Sequence, residues 1–293
     1  MKTHHATMLH PCASQHGEGA YWWDARQQLI WVDILACEVH LYDPAKDEDR
    51  MWKVPCHVGF AHPTVNGDLL LGTRDGIARL DLTDNEITFI VDPEADLEDT
   101  RFNDGKPGPD GRLYGGSMAY GGKAPLGSLW LIETDFNYRH LLDNVTISNG
   151  LCWTKDEQTM FYIDSPTRLV EAFDYDAATG NISNRRSVVE VPSELGVPDG
   201  MTIDADDNLW VALYGGSMVA CYDSRTGKMI ERVLAPTPRV TCPSFGGPDL
   251  TTLYFTTSKA GIDKMTPEEA KAAGHLFSAE PGAQGRPNYV FKG

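Results

Sequence analysis

The sequence predicts an all-β fold, a six-bladed β-propeller with four-stranded antiparallel blades around a central channel. Three observations point to it. Short apolar or aromatic runs are bounded by Asp, Asn, Gly and Pro, the pattern of strands and turns. One such run recurs six times at intervals of 40 to 49 residues. A second apolar run follows it in each unit. Repeats of this length, each with about four strands, bury their faces on one another and close into a ring.

Taken in order, the first run is Leu29-Ile-Trp-Val-Asp33, Leu69-Leu-Leu-Gly-Thr73, Leu113-Tyr-Gly-Gly-Ser117, Met160-Phe-Tyr-Ile-Asp164, Leu209-Trp-Val-Ala-Leu213 and Leu253-Tyr-Phe-Thr-Thr257. A turn precedes each one, as at Asn66-Gly67, Asp110-Gly111 and Asp206-Asp-Asn208. The second run is seen at Val39–Asp43, Ile77–Asp81, Leu129–Glu133, Val170–Asp174, Met218–Asp223 and His275–Ser278. Only Thr266–Gly274 reads as helix, with a Thr cap, Pro at the first position and Gly at the stop. No linker or composition shift divides the chain, so residues 1–293 are expected to form one propeller domain. A double-sheet sandwich or a β-helix is the competing architecture.

Composition narrows the function. The 293 residues carry 25 Lys and Arg against 42 Asp and Glu, a net charge of −17, and no basic run. That charge repels phosphate backbones and favours cations, so nucleic acid is not an expected partner. No apolar stretch is long enough for a transmembrane helix, and the first ten residues lack the apolar core of a signal peptide. The six cysteines show neither C-x-x-C nor zinc-type spacing. Reduced thiols in a cytoplasmic protein are the expectation, with no membrane partner and a monomer or weak homodimer.

Counting back ten or eleven residues from the first runs reaches Glu18, Val58/Gly59, Asn103, Asn149, Asp199 and Cys242/Pro243. In a propeller, equivalent positions on the innermost strands lie at equal depth, so these residues should form a ring at one end of the channel. Asn-Gly and Asp-Gly are also common hairpin turns. The shared repeat offset favours a convergent site instead, and Glu18 is not a turn residue. The two carboxylates and two amides make a hard-oxygen set suited to Ca²⁺, Mg²⁺ or Mn²⁺, with Zn²⁺ or Fe²⁺ also able to bind carboxylates. Three or four protein ligands leave positions open for water and substrate.

Several segments then carry a family likeness: Gly17-Glu18-Gly19, Arg101-Phe-Asn-Asp-Gly-Lys106, Ile147-Ser-Asn-Gly150, Pro198-Asp-Gly-Met201 and Cys242-Pro-Ser-Phe-Gly-Gly247. In this order and spacing, the chain resembles the gluconolactonase/regucalcin family of six-bladed propellers from about Glu18 to Leu276. The resemblance implies one divalent cation held by Glu18, Asn149 and Asp199, and hydrolysis of a sugar-acid lactone. It further implies that Arg101 and Asn103 contact the substrate. After Gly116-Ser-Met-Ala119 the family has acidic residues that touch the sugar, whereas here stand Tyr120-Gly121-Gly122. Tyr120 is therefore expected to meet the substrate and shift the hydroxyl preference.

The chemistry is coherent with that reading. A lactone is an activated ester whose carbonyl oxygen can rest on a cation, and Asp199 is the expected general base, with Asp104 as runner-up. His16 is expected outside the ring. His57 and His62 are candidates for the substrate pocket. Asp164-Ser165 reads as hydrogen bonding rather than a nucleophile, and the tryptophans read as packing between blades. Two alternatives stay open: a phosphotriesterase-type hydrolase on the same site, and a non-catalytic calcium-binding propeller.

Overall fold

A computed structural model describes all of residues 1–293. Six separate sheets are built from consecutive stretches of chain, each ordered outward from an innermost strand. The innermost strands are Gly17–Trp23, Val58–Pro63, Thr100–Pro107, Ser148–Trp153, Val197–Ile203 and Val240–Gly246, which open blades 1 to 6. The recurrent sequence run is the second strand of every blade, for example Gln28–Asp33 and Leu209–Tyr214. The six-bladed propeller is thus the observed fold. The single α-helix, Pro267–Ala272, has the expected Thr266 cap, which pairs with Glu269 in a capping box.

The alternating strand pattern puts one apolar row on each blade face, and neighbouring blades bury these rows against each other. Six apolar clusters result, each shared by two adjacent blades. Large aromatic rings fill these seams: Trp22 stacks on Tyr254 between blades 1 and 6, and Trp210 meets Phe245 edge-on between blades 5 and 6.

Two features escape the repeat. The first strands of the chain complete blades made much later: Lys2–His5 runs parallel to Met229–Leu234 in blade 5, and Thr7–His10 pairs with Leu276–Ala279 in blade 6. The segment 284–292 crosses one end of the ring as a strap and touches every blade. The Gln284 carbonyl accepts from Ala205 N and Gly285 N donates to the Leu250 carbonyl, both at 2.8 Å. Arg286 Nη2 donates to the Trp153 carbonyl at 2.5 Å, and Asn288 Nδ2 to that of Trp22 at 3.1 Å. Phe291 N and Lys292 N donate to the carbonyls of Pro63 and Gly111, each at 3.0 Å.

Candidate metal centre

Every innermost strand breaks register with its neighbour at one level: between Glu18 and Tyr21, Val58 and Phe60, Phe102 and Gly105, Asn149 and Leu151, Pro198 and Met201, and Val240 and Pro243. A bulge leaves a residue unpaired and re-aims its side chain. Six bulges at the same depth therefore turn the ring positions away from the sheet ladder. The Asn-Gly and Asp-Gly pairs are strand bulges here, not hairpin turns. Their glycines allow the inner strands to approach closely. A Cβ on Gly150 would stand 2.8 Å from the Asp199 carbonyl oxygen, and one on Gly59 2.4 Å from that of Asn103.

At the end of the channel away from the strap lies a cavity of about 330 Å³, within the range of small-ligand sites. Glu18, Arg101, Asn103, Asn149 and Asp199 all line it. The sequence-predicted residues are thus brought together, with Tyr120 the exception. It stands exposed beside the mouth and is not among the lining residues; its hydroxyl lies 2.8 Å from His57 Nδ1.

The amides are oriented by a chain of hydrogen bonds. Asn149 Nδ2 donates to Ser165 Oγ at 2.8 Å, and that hydroxyl donates to the Pro198 carbonyl at 2.6 Å. Asn149 Oδ1 consequently faces the channel, where Asn103 Nδ2 approaches it to 3.3 Å and also donates to the Ser148 carbonyl at 2.7 Å. Arg101 Nη1 donates to Asn103 Oδ1 at 2.8 Å and to the Phe102 carbonyl at 2.9 Å.

The carboxylates are less well compensated: backbone N–H groups reach each of them, and the Asn149 amide reaches Asp199, but no cation does. Glu18 and Asp199 are buried and neither forms an ion pair; Glu18 Oε2 accepts only from Gly19 N, at 2.8 Å. Asp104 is buried too, and its Oδ2 has no partner. Burial, followed by the charge of Asp104, pushes the Glu18 carboxyl up, and burial with the charges of Glu18 and Asp104 pushes Asp199 well above the usual range. Carboxylates crowded in this way hold their charge only when a cation joins them. No three Asp, Glu, His or Cys side chains cluster tightly enough to hold a metal by themselves. Glu18, Asp199 and the amide oxygen of Asn149, which line the same cavity, are the donors that could hold a cation.

Two histidines differ from expectation, whereas Asp164 matches it. His16 lines the cavity, contrary to its predicted place outside the ring. Asp33 accepts from the backbone of Gln15 and His16 at 2.6 and 3.0 Å and draws this segment inward, while His16 Nδ1 lies 2.8 Å from Ser258 Oγ. Burial lowers the His16 ring to about 4, so it is neutral. Asp164 makes the matching pair of bonds in blade 4, to Thr146 N and Ile147 N, as hydrogen bonding rather than catalysis. His62 belongs to the core, not the pocket: it packs between Tyr21 and Phe60 and donates from Nε2 to the Gly105 carbonyl at 2.5 Å.

With this geometry established, comparison with known proteins places the chain. Residues 16–259 match the family model described as SMP-30/Gluconolactonase/LRE-like region. The chain belongs to that family. Among relatives of this SMP-30/gluconolactonase-like protein, a Bacillus subtilis protein named as a candidate sugar lactone lactonase, YvrE, is 38% identical over 90% of each chain. Regucalcin of Gallus gallus is 38% identical over 94% of this chain and 95% of its own. The solved structure of a luciferin-regenerating enzyme superposes with a TM-score of 0.92 at 31% identity, covering 98% of this chain and 99% of the other. Agrobacterium tumefaciens regucalcin, whose structure is described as that of a calcium-binding protein, has the same fold at 24% identity, with a TM-score of 0.94 over 100% and 99% of the two chains.

Proposed function

We propose that this protein hydrolyses a sugar-acid lactone to the open-chain acid with the help of one divalent cation. The observation that carries the reading is the pair of buried, unpaired carboxylates, Glu18 and Asp199, facing an open cavity beside two oriented amides. Glu18, Asn149 and Asp199 would hold the cation. An all-oxygen set suits Ca²⁺, Mg²⁺ or Mn²⁺, and Zn²⁺ or Fe²⁺ can also use it. When bound, the cation supplies Lewis-acid polarisation of the lactone carbonyl.

The remaining work falls to the side chains. Arg101 and Asn103 bind ring oxygens and hydroxyls, their mutual hydrogen bond fixing the pair as one surface. Asp199 takes a proton from water as its oxygen bonds to the carbonyl carbon; the ring C–O bond then breaks, and the proton passes to the departing alkoxide. Apolar walls from Met118, Ile147 and Val197 lower the local dielectric, which strengthens the polar contacts inside. Tyr120 stands on the approach to this surface, where it would choose among sugars rather than act on the bond. Six free thiols suit a reducing compartment, and a cytoplasmic setting follows from this reading.

The test is a pH-stat screen of five- and six-membered sugar lactones with protein stripped by chelator. Activity is expected to vanish on stripping and to return with a divalent ion. Turnover that survives complete stripping overturns the cation role. A calcium-bound protein that hydrolyses no lactone in the panel supports the non-catalytic calcium-binding reading instead.

A further inference from the structure

Lys106 lies on the same innermost strand as Asn103 but deeper in the channel. It is 8% exposed, lines the small cavity beneath the strap, and forms no ion pair. Its Nζ reaches from blade 3 to blade 5 and donates to the Met201 carbonyl at 2.5 Å, two residues beyond Asp199. One acceptor is poor compensation for a buried ammonium, which normally needs a negative field to persist. Glu18 and Asp104 supply that field, and Asp104 keeps one oxygen without a partner.

We propose that Lys106 is a built-in cation of the channel floor, which sets the charge that the metal centre accepts. This rests on the cation reading above. Three carboxylates and one ammonium leave a charge of −2, which a single divalent ion cancels. The Arg101 guanidinium then stands on the mouth side as the remaining net charge facing the substrate. The field of Lys106 lowers both Glu18 and Asp104, opposing what burial does to them. Removing the ammonium leaves −3, a floor that binds every cation more tightly and favours trivalent ions.

The experiment compares wild type, Lys106→Gln and Lys106→Met by calorimetric titration with Ca²⁺ and by Tb³⁺ luminescence, with melting temperatures of the metal-free and loaded proteins. Coulomb energy is linear in ion charge, so a rise of about tenfold in Ca²⁺ affinity should accompany about thirtyfold for Tb³⁺. Both variants should melt lower without metal and gain more on loading than wild type. Gln keeps a donor for the Met201 carbonyl and Met does not. If Gln behaves as wild type while Met loses affinity for both ions, Lys106 is only a structural pin and the proposal is overturned. Unchanged affinities in both variants, or a constant Tb³⁺/Ca²⁺ ratio, overturn it as well. Should Met not fold, the ratio in Gln decides alone. A wild type that binds neither these ions nor Mg²⁺, Mn²⁺ or Zn²⁺ would instead defeat the cation reading itself, and the two failures are told apart in the first titrations.

Discussion

The two ends of the channel are built from the same six strands and yet differ in kind. At the mouth, bulges turn carboxylates and amides into a cavity of about 330 Å³, and buried charge is left without a partner. At the other end the strap meets all six blades, leaving a cavity of about 40 Å³ and anchoring the fully buried Phe291 among Phe60, Phe102 and Leu113. One end leaves buried charge uncompensated; the other adds packing and backbone hydrogen bonds. Repetition fixes the depth of each position, while local breaks in the repeat decide which side chains face the cavity.

The largest effect is expected at Asp199. Asp199→Asn is expected to lower lactone turnover by about a thousandfold or more while far-ultraviolet circular dichroism stays unchanged. A rate near wild type would remove Asp199 from the mechanism. At the opposite end, Phe291→Ala should cost about 3–5 kcal/mol in a denaturant titration, the usual loss for a buried Phe. KM for the lactone should hardly move, because the strap is remote from the cavity; a large change in KM would mean the ends are coupled.

Ser165→Ala probes the orientation of Asn149. Freed of its hydroxyl partner, the amide should cost about 10- to 100-fold in cation affinity by calorimetry, as is common for groups that orient ligands. His62 sharpens the contrast through pH. Burial holds its ring at about 3, below the ordinary 6.5, so the unfolded chain binds a proton that the folded one refuses. Stability should therefore fall as pH drops from 6.5 toward 3, with a slope approaching about 1.4 kcal/mol per unit, and His62→Gln should flatten that slope in acid melts. The smallest effect is expected at the rim. Tyr120→Phe removes the contact with His57 and should change KM a few-fold, altering the ranking of sugar lactones but not kcat.

Much of this was legible in the residues. The second strand of each blade is buried along its length, so its apolar run and preceding turn repeat clearly, as from Leu29 to Leu253. Counting back from these runs found Glu18, Asn103, Asn149 and Asp199, because a ring converts equal offset into equal depth. Pattern failed where the backbone is irregular or solvated. Lys2–His5 is an exposed outer strand with no apolar alternation, and residues 284–292 have no periodicity at all. The inward position of His16 is not legible, because nothing local shows that Asp33, 17 residues away, will capture its backbone. The hydrogen bonding expected of Ser165 is legible in sequence, but its partner, the Asn149 amide 16 residues away, is not. Tyr120 follows the motif in sequence, yet the chain turns outward there, with Gly121 and Gly122 both at positive φ.

The pairing of Lys2–His5 with Met229–Leu234, and of Thr7–His10 with Leu276–Ala279, bears on how the protein is made. A ribosome delivers the opening residues more than two hundred positions before their mates. Until those mates emerge, the nascent chain is an incomplete arc with bare sheet edges, the kind of species that chaperones shield. Glu18 and Asp199 cannot line one cavity before the circle shuts, so that cavity is among the last things to form during biosynthesis.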